Sequence, residues 1–211
     1  SVVFVSTIEP TASFWDCGEF IATSYKLEVP HPPGAPFFLL MGRMFSLFAG
    51  DNVEQVAFWV NMLSVLSAAF TVLFLFWSIT HLAKKMLVKA GDVLNTGQTI
   101  AVMGAGLVGG LVCTFSDSIW FSAVEAEVYA MSSFFTAFVF WAILKWETIN
   151  DESDHNKWLI LIAYMMGLSI GVHLLNLVTI PALGLIVYFK YVEKITPKGV
   201  FLTLLTSGAI I

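Results

Sequence analysis

Apolar residues run almost unbroken through six stretches of this chain, and polar residues gather between them. The stretches are about 55–80 (QVAFWVNMLSVLSAAFTVLFLFWSIT), 98–116 (QTIAVMGAGLVGGLVCTFS), 128–147 (VYAMSSFFTAFVFWAILKWE), 158–177 (WLILIAYMMGLSIGVHLLNL), 178–192 and 200–211. A helix needs about 20 mostly apolar residues to cross the hydrocarbon core of a bilayer. The first four runs meet that length, the fifth is shorter, and the sixth begins near Val200. Gly104, Gly106, Gly109 and Gly110 in the second run suit close helix packing. The pattern predicts an all-α integral membrane protein, a multi-span helical bundle.

A long polar-rich segment, about 7–54, precedes the first span. It contains PTASFWDCGEFIATSYKLEVPHPPGAPFF, whose acids, imidazole and prolines a bilayer interior does not accept cheaply. Between His31 and Asp51 lies an apolar run of only about 13 residues that includes Arg43. It is too short to span. Its proline-rich start predicts a helix lying at the outer interface.

Composition agrees with the pattern. The 211 residues are 58% hydrophobic and 12% charged, against about 25% charged in soluble domains. The net charge of −5 and the lack of a basic patch exclude a nucleic-acid partner. The cysteines, Cys17 and Cys113, make no disulfide framework. The opening SVVFVS is too short for a signal peptide and reads as the outer end of a preceding helix, so the chain reads as part of a longer one.

Charge then orients the spans. Lys84, Lys85, Lys89, Lys145, Lys157, Lys190, Lys194 and Lys198 fall in alternate loops on one side, eight of the ten Lys and Arg residues. The positive-inside rule makes that side cytoplasmic. The outer side receives the acids and imidazoles of three separate segments, which is the pattern of an assembled site.

Each candidate has a plainer reading beside it. Asp16 and Glu19 are three apart and share a helical face, which suits a general base with an orienting group or metal ligand. Equally, Ser13 and Asp16 read as a capping box that starts a helix. His31 is held by the prolines of VPHPPGAP and can meet a phosphate, a hydroxyl or a metal, although a lone His is usually structural. Glu125, Glu127 and Tyr129 in VEAEVYA share a side only if the chain is extended there. Either acid could instead stabilise a helix N-terminus. His173 and Asn176 in GVHLLNL are three apart on one helical face, where an interhelical hydrogen bond is the plainer reading. No P-loop, nucleophile elbow or CxxC pair occurs.

Taken together, PTASFWDCGEF, HPPGAPFF, EAEVYA and GVHLLNL closely resemble a bacterial membrane family common in Bacteroidetes. That family is related to the animal transmembrane-protein-260 O-mannosyltransferases, glycosyltransferase family 117. The resemblance implies the N-terminal membrane part of a GT-C-type enzyme in the bacterial inner membrane. Such an enzyme moves a sugar, mannose in the animal relatives, from a polyprenyl-phosphate carrier to a protein or envelope glycan hydroxyl on the extracytoplasmic face. It implies Asp16 as base, with Glu19 as its rival or support. It places His31, with Lys26 or Arg43, on the leaving phosphate. Glu125 and Glu127 then hydrogen-bond sugar hydroxyls or bind a divalent metal, with Tyr129 beside them on the substrate, and His173 and Asn176 complete the wall near the lipid phosphate.

Two other classes fit parts of the pattern. A transporter or flippase of a lipid-linked or acidic solute would use the outer acids as a path, but such proteins carry ionisable groups near mid-membrane. A non-catalytic subunit of an envelope complex fits the spans and has no need of the acid and imidazole cluster.

Overall fold

The computed structural model describes residues 2–89, 91–149 and 151–211, and all its regular structure is helical. The helices are α1 (Val2–Ser6), α2 (Cys17–Lys26), α3 (Pro36–Ser46), α4 (Val56–Leu87), α5 (Thr96–Thr114), α6 (Asp117–Val124), α7 (Val128–Glu147), α8 (Glu152–Ile170), α9 (Ile180–Tyr191) and α10 (Pro197–Gly208). Short 3-10 turns join some of them, at Leu47–Ala49, Val53–Gln55 and Leu174–Thr179. Among the described residues, four helical segments are long and apolar enough to cross a membrane: Val53–Leu87, Thr96–Thr114, Val128–Glu147 and Leu174–Tyr191.

α4 is the spine. It packs against α5 on one flank and α7 on another, and α2, α3 and α6 also rest on it. α5 comes close because its glycines leave room: a Cβ on Gly106 would lie 2.8 Å from the Phe76 ring. α5 begins with a full capping box, Asn95 with Gln98, which satisfies two otherwise orphaned N–H groups. Between α4 and α7 the apolar contact is largely aromatic. Phe74 stands 5.1 Å from the Phe138 and Trp141 ring centroids.

α4, α7 and α9 run in the same direction, and α5 and α8 return. Lys85 Nζ pairs with Glu147 Oε1 at 2.6 Å, joining the C-terminal ends of α4 and α7. Lys190 Nζ donates to the carbonyls of Trp146, Glu147 and Ile149, so a cation from α9 closes the C-terminus of α7. One end of the bundle therefore gathers lysines. The other gathers Asp16, Glu19, Glu125, Glu127 and two histidines.

Helices cover 128–147 and follow the prolines at Pro36–Ser46, as the sequence predicts. Four expectations change. The span 55–80 continues to Leu87, because its last two turns carry Lys84 and Lys85 beyond the apolar zone. The stretch 158–177 is not one helix. α8 ends at Ile170, and the Phe37 N–H takes up the Gly171 carbonyl at 2.7 Å. A Cβ on Gly171 would sit 2.9 Å from Phe37 Cβ, so this contact requires glycine. The outer turn is therefore at 171–173 rather than near 178, and the fifth span starts at Leu174. The segment 117–127 contains α6, whose two turns were too short to register as periodicity. The polar-rich segment 7–54, expected to carry a helix at the outer interface, packs into the bundle: Phe38, Leu39 and Gly42 of α3 and Phe20 of α2 are buried against α4 and α7.

Candidate active site at the acidic end of the bundle

α2 opens at Asp16, whose carbonyl accepts from Phe20 N at 2.9 Å. The Asp16 carboxylate makes no capping hydrogen bond. Nor does Ser13 cap: its hydroxyl donates to Glu125 Oε2, 112 residues away. The capping-box alternative is thus replaced by a long-range tie. Trp15, just before the acid, has φ 63°, a left-handed conformation unusual for a bulky residue. Strain of this kind, about 1–3 kcal/mol, persists only where neighbours over-determine it. Those neighbours are identifiable. Asn61, fully buried in α4, donates from Nδ2 to the carbonyls of Glu9 (2.7 Å) and Thr11 (3.0 Å). Cys17, also fully buried, lies with Sγ 3.8 Å from Asn61 Oδ1. Both thiols are free.

His31 comes to the same place from the other side. Gly34, at φ 80°, turns the chain so that its N–H meets the His31 carbonyl at 3.0 Å. Glu19, in the first turn of α2, accepts the His31 backbone N–H on Oε1 at 2.6 Å and meets Nδ1 with Oε2 at 2.9 Å. Nε2 faces Asp16 Oδ2 at 4.0 Å. The Glu19 hydrogen bond raises the imidazole pKa above its ordinary value, with the charges of Asp16 and Glu127 adding to it. The same bond lowers the pKa of Glu19.

Glu125 and Glu127 lie in the short link between α6 and α7, which bends between them, the Glu127 N–H donating to the Glu125 carbonyl at 2.9 Å. Glu127 lines the cleft and Glu125 turns to Ser13, so the two do not share a side as a straight extended chain would require. Both are buried. Burial raises the Glu125 pKa against the opposing Ser13 bond, and Glu125 Oε1 has no partner among the described residues. Burial, then the charges of Asp16 and Glu125, pushes Glu127 up to about 7, against hydrogen bonds from the Asp16 and Val128 N–H groups.

Asp16, His31, Glu127, Tyr129 and His173 line one cleft of about 420 Å³, a volume suited to a small ligand. Tyr129 and His173 form its far wall, ring centroids 5.6 Å apart. His173 is not in a helix. It opens the 174–179 turn, its Nδ1 accepting from Leu175 N at 3.0 Å, which leaves Nε2 for a ligand. Asn176 is elsewhere. It is fully buried, donates to Ser169 Oγ at 2.7 Å and accepts from Thr136 at 3.1 Å, so the interhelical reading holds. Arg43 is occupied too: Nη1 donates to the Tyr25 carbonyl at 2.7 Å, and the guanidinium lies over that ring. Lys26 is exposed at the opposite end of α2, about 15 Å along the helix from Asp16. No Lys or Arg among the described residues lines the cleft.

The site thus unites Asp16, Glu19, His31, Glu127, Tyr129 and His173. Sequence reasoning missed Asn61 and the role of Ser13. A lone Asn in an apolar span was the available signal for the first. Single ligand atoms of Asp16, Glu19 and His31 lie within 4.8 Å of one another, close enough for a metal ion. Glu19 and His31 are already bonded to each other, so an ion would have to replace that pair.

The family model described as the Protein O-mannosyl-transferase TMEM260 N-terminal domain matches residues 16–196. The chain belongs to this family. The match opens at Asp16 and takes in every residue that lines the cleft. Among the TMEM260 relatives, the chain is 27% identical over 171 residues to Protein O-mannosyl-transferase TMEM260 of Mus musculus, covering 81% of this chain and 22% of that protein. It is 25% identical over 142 residues to Protein O-mannosyl-transferase tmem260 of Dictyostelium discoideum, covering 65% of this chain and 15% of that protein. The chain therefore spans less than a quarter of either relative. No solved structure matches it.

Proposed function

We propose that the cleft is the catalytic centre of a GT-C-type membrane glycosyltransferase. In this reading a sugar, mannose if the relatives' names carry over, moves from a polyprenyl-phosphate donor to a protein or glycan hydroxyl on the extracytoplasmic face. The observation that supports it best is the pairing across the cleft of Asp16, a carboxylate with no capping bond, with His31, an imidazole whose pKa Glu19 raises. The lysines at the opposite end of the bundle favour the acidic end as the extracytoplasmic one.

Asp16 takes the proton of the acceptor hydroxyl. The acceptor oxygen then bonds to the anomeric carbon as the bond from that carbon to the carrier phosphate breaks, and the electron pair leaves on the phosphate. Charge grows on that oxygen in the transition state, where a fixed donor is worth most. His31 supplies it, because Lys26 and Arg43 do not reach the cleft. Glu19 positions His31 and does not itself line the cleft, which favours Asp16 over Glu19 as base. Tyr129 and the free Nε2 of His173 face the sugar. Glu125 fixes the loop through Ser13 and acts from behind the site.

The test is transfer of mannose from polyprenyl-phosphate mannose to a serine- and threonine-bearing peptide by the purified full-length protein. Asp16→Asn should lower the rate by about 10²–10⁴-fold, the usual worth of a general base. Movement of the carrier or a solute across vesicles, with no transfer, would favour a transporter instead.

A further inference from the structure

The lysine end of the bundle holds a second cavity, of about 450 Å³, with no part in the chemistry above. α4 contributes Trp77, His81 and Lys84, and α7 contributes Trp141 and Lys145. The two tryptophan rings form one wall, centroids 5.4 Å apart and tilted by 36°. Lys145 Nζ lies 5.9 Å from the centre of the Trp141 ring.

Three features mark it as a site for an anion. Lys84 and Lys145 have no ion-pair partner among the described residues, whereas the adjacent Lys85 is tied to Glu147 at 2.6 Å. His81 Nε2 is buried with no hydrogen-bond partner among the described residues, a costly state unless a ligand completes it. No acid among the described residues lines the cavity. A quaternary ammonium headgroup could use the tryptophans but would meet the charge of both lysines.

Its depth identifies the source of the anion. Along α4, Asn61 sits at the level of the acidic site and His81 at the level of this cavity. At 1.5 Å per residue the two are about 30 Å apart, one hydrocarbon thickness. With one site at one interface, the cavity falls at the other, where lipid phosphates lie. Tryptophan and lysine are the residues that settle at that level.

We propose that this cavity binds the headgroup of an anionic phospholipid. The phosphate sits between Lys84 and Lys145 and accepts from His81, and the glycerol rests on the Trp77–Trp141 wall. Basic pockets between membrane helices are used in this way.

The full-length protein, purified in detergent, would be incubated with phosphatidylglycerol or phosphatidylcholine, and bound lipid would be counted by native mass spectrometry. Phosphatidylglycerol should bind selectively to the wild type. Each of Lys84→Gln and Lys145→Gln should weaken it about fivefold, and the pair about thirtyfold. Lys84→Arg/Lys145→Arg should keep it. Lys85→Gln, outside the cavity, should leave it unchanged. Equal binding of the two lipids by the wild type would overturn the proposal without any variant. So would equal loss in Lys85→Gln, which would mark a diffuse surface effect. Full displacement by inorganic phosphate would show a site for the free ion and would overturn it as well.

Discussion

Glu19 grips His31 at two points, its Oε1 on the backbone N–H at 2.6 Å and its Oε2 on Nδ1 at 2.9 Å. One side chain thereby fixes both the position of the imidazole and its charge. The pKa of His31 is raised, so its share of stability is complete below the ordinary imidazole value of 6.5 and is lost as pH rises through the higher folded value. The pKa of Glu19 is lowered, so its share is present above 4.5 and is lost as pH falls through the lower folded value. The pair is therefore fully formed in the window between those values.

Glu19→Gln should bring the His31 pKa back toward the ordinary imidazole value. If the imidazolium steadies the leaving phosphate, activity in this variant should fail at a lower pH than in the wild type. Histidine NMR titration paired with a pH–rate profile checks both. An unmoved upper limb of the profile would remove His31 from the mechanism.

Glu127 tests the electrostatics of the cleft from the other side. Its pKa is pushed up to about 7 from 4.5, so the folded state holds a proton that the unfolded state releases. Stability therefore falls as pH rises between those two values and stays reduced above them. Glu127→Gln removes a cost on the order of 3 kcal/mol at pH 8 and little at pH 5. Thermal unfolding at the two pH values should show the variant gaining on the wild type only at the higher one. An equal effect at both would mean the acid is not buried as described.

Asn61→Ala should release the loop that carries Asp16. It removes two hydrogen bonds from a buried amide to the Glu9 and Thr11 carbonyls, worth about 1–3 kcal/mol together. Limited proteolysis should then cut near 9–16 at a rate the wild type does not show, with α4 intact. Unchanged protection would mean that Ser13 and Glu125 hold the loop without help.

Gly171→Ala should separate α3 from α8, because the added Cβ meets Phe37 Cβ at 2.9 Å and the Leu168 carbonyl at 3.3 Å. Overpacking of this kind costs about 1–3 kcal/mol. The cleft wall at 170–174 moves with it, so binding of a lipid-phosphate sugar should weaken along with the melting temperature. A variant as stable as the wild type would show that Phe37 yields freely.

Much of this architecture is legible in the chain. The helix at about 128–147 is legible because apolar length and flanking charge agree there. Asp16, Glu19 and His31 of the opening polar segment, grouped from sequence as candidates, do meet in the fold. What was hidden depends on contacts rather than on pattern. The run 158–177 is continuously apolar, so nothing local tells that Phe37 ends the helix at Gly171. Ser13 stands at capping distance from Asp16, yet the fold turns it toward Glu125. Asn176 has helical spacing from His173, but the turn at 171–173 sends one into the cleft and the other between helices. Lys26 and Arg43 carry the right charge for a phosphate, and only the packing of α2 on α3 shows that they are turned elsewhere.

The most direct test of the central claim compares glycopeptides from cells that carry the full-length wild-type protein with those from cells that carry Asp16→Asn, at equal membrane abundance. Asp16 as base predicts that a defined set of hexose-bearing peptides or envelope glycans disappears in the variant. An unchanged glycan profile would contradict that role and with it the proposed reaction at this cleft.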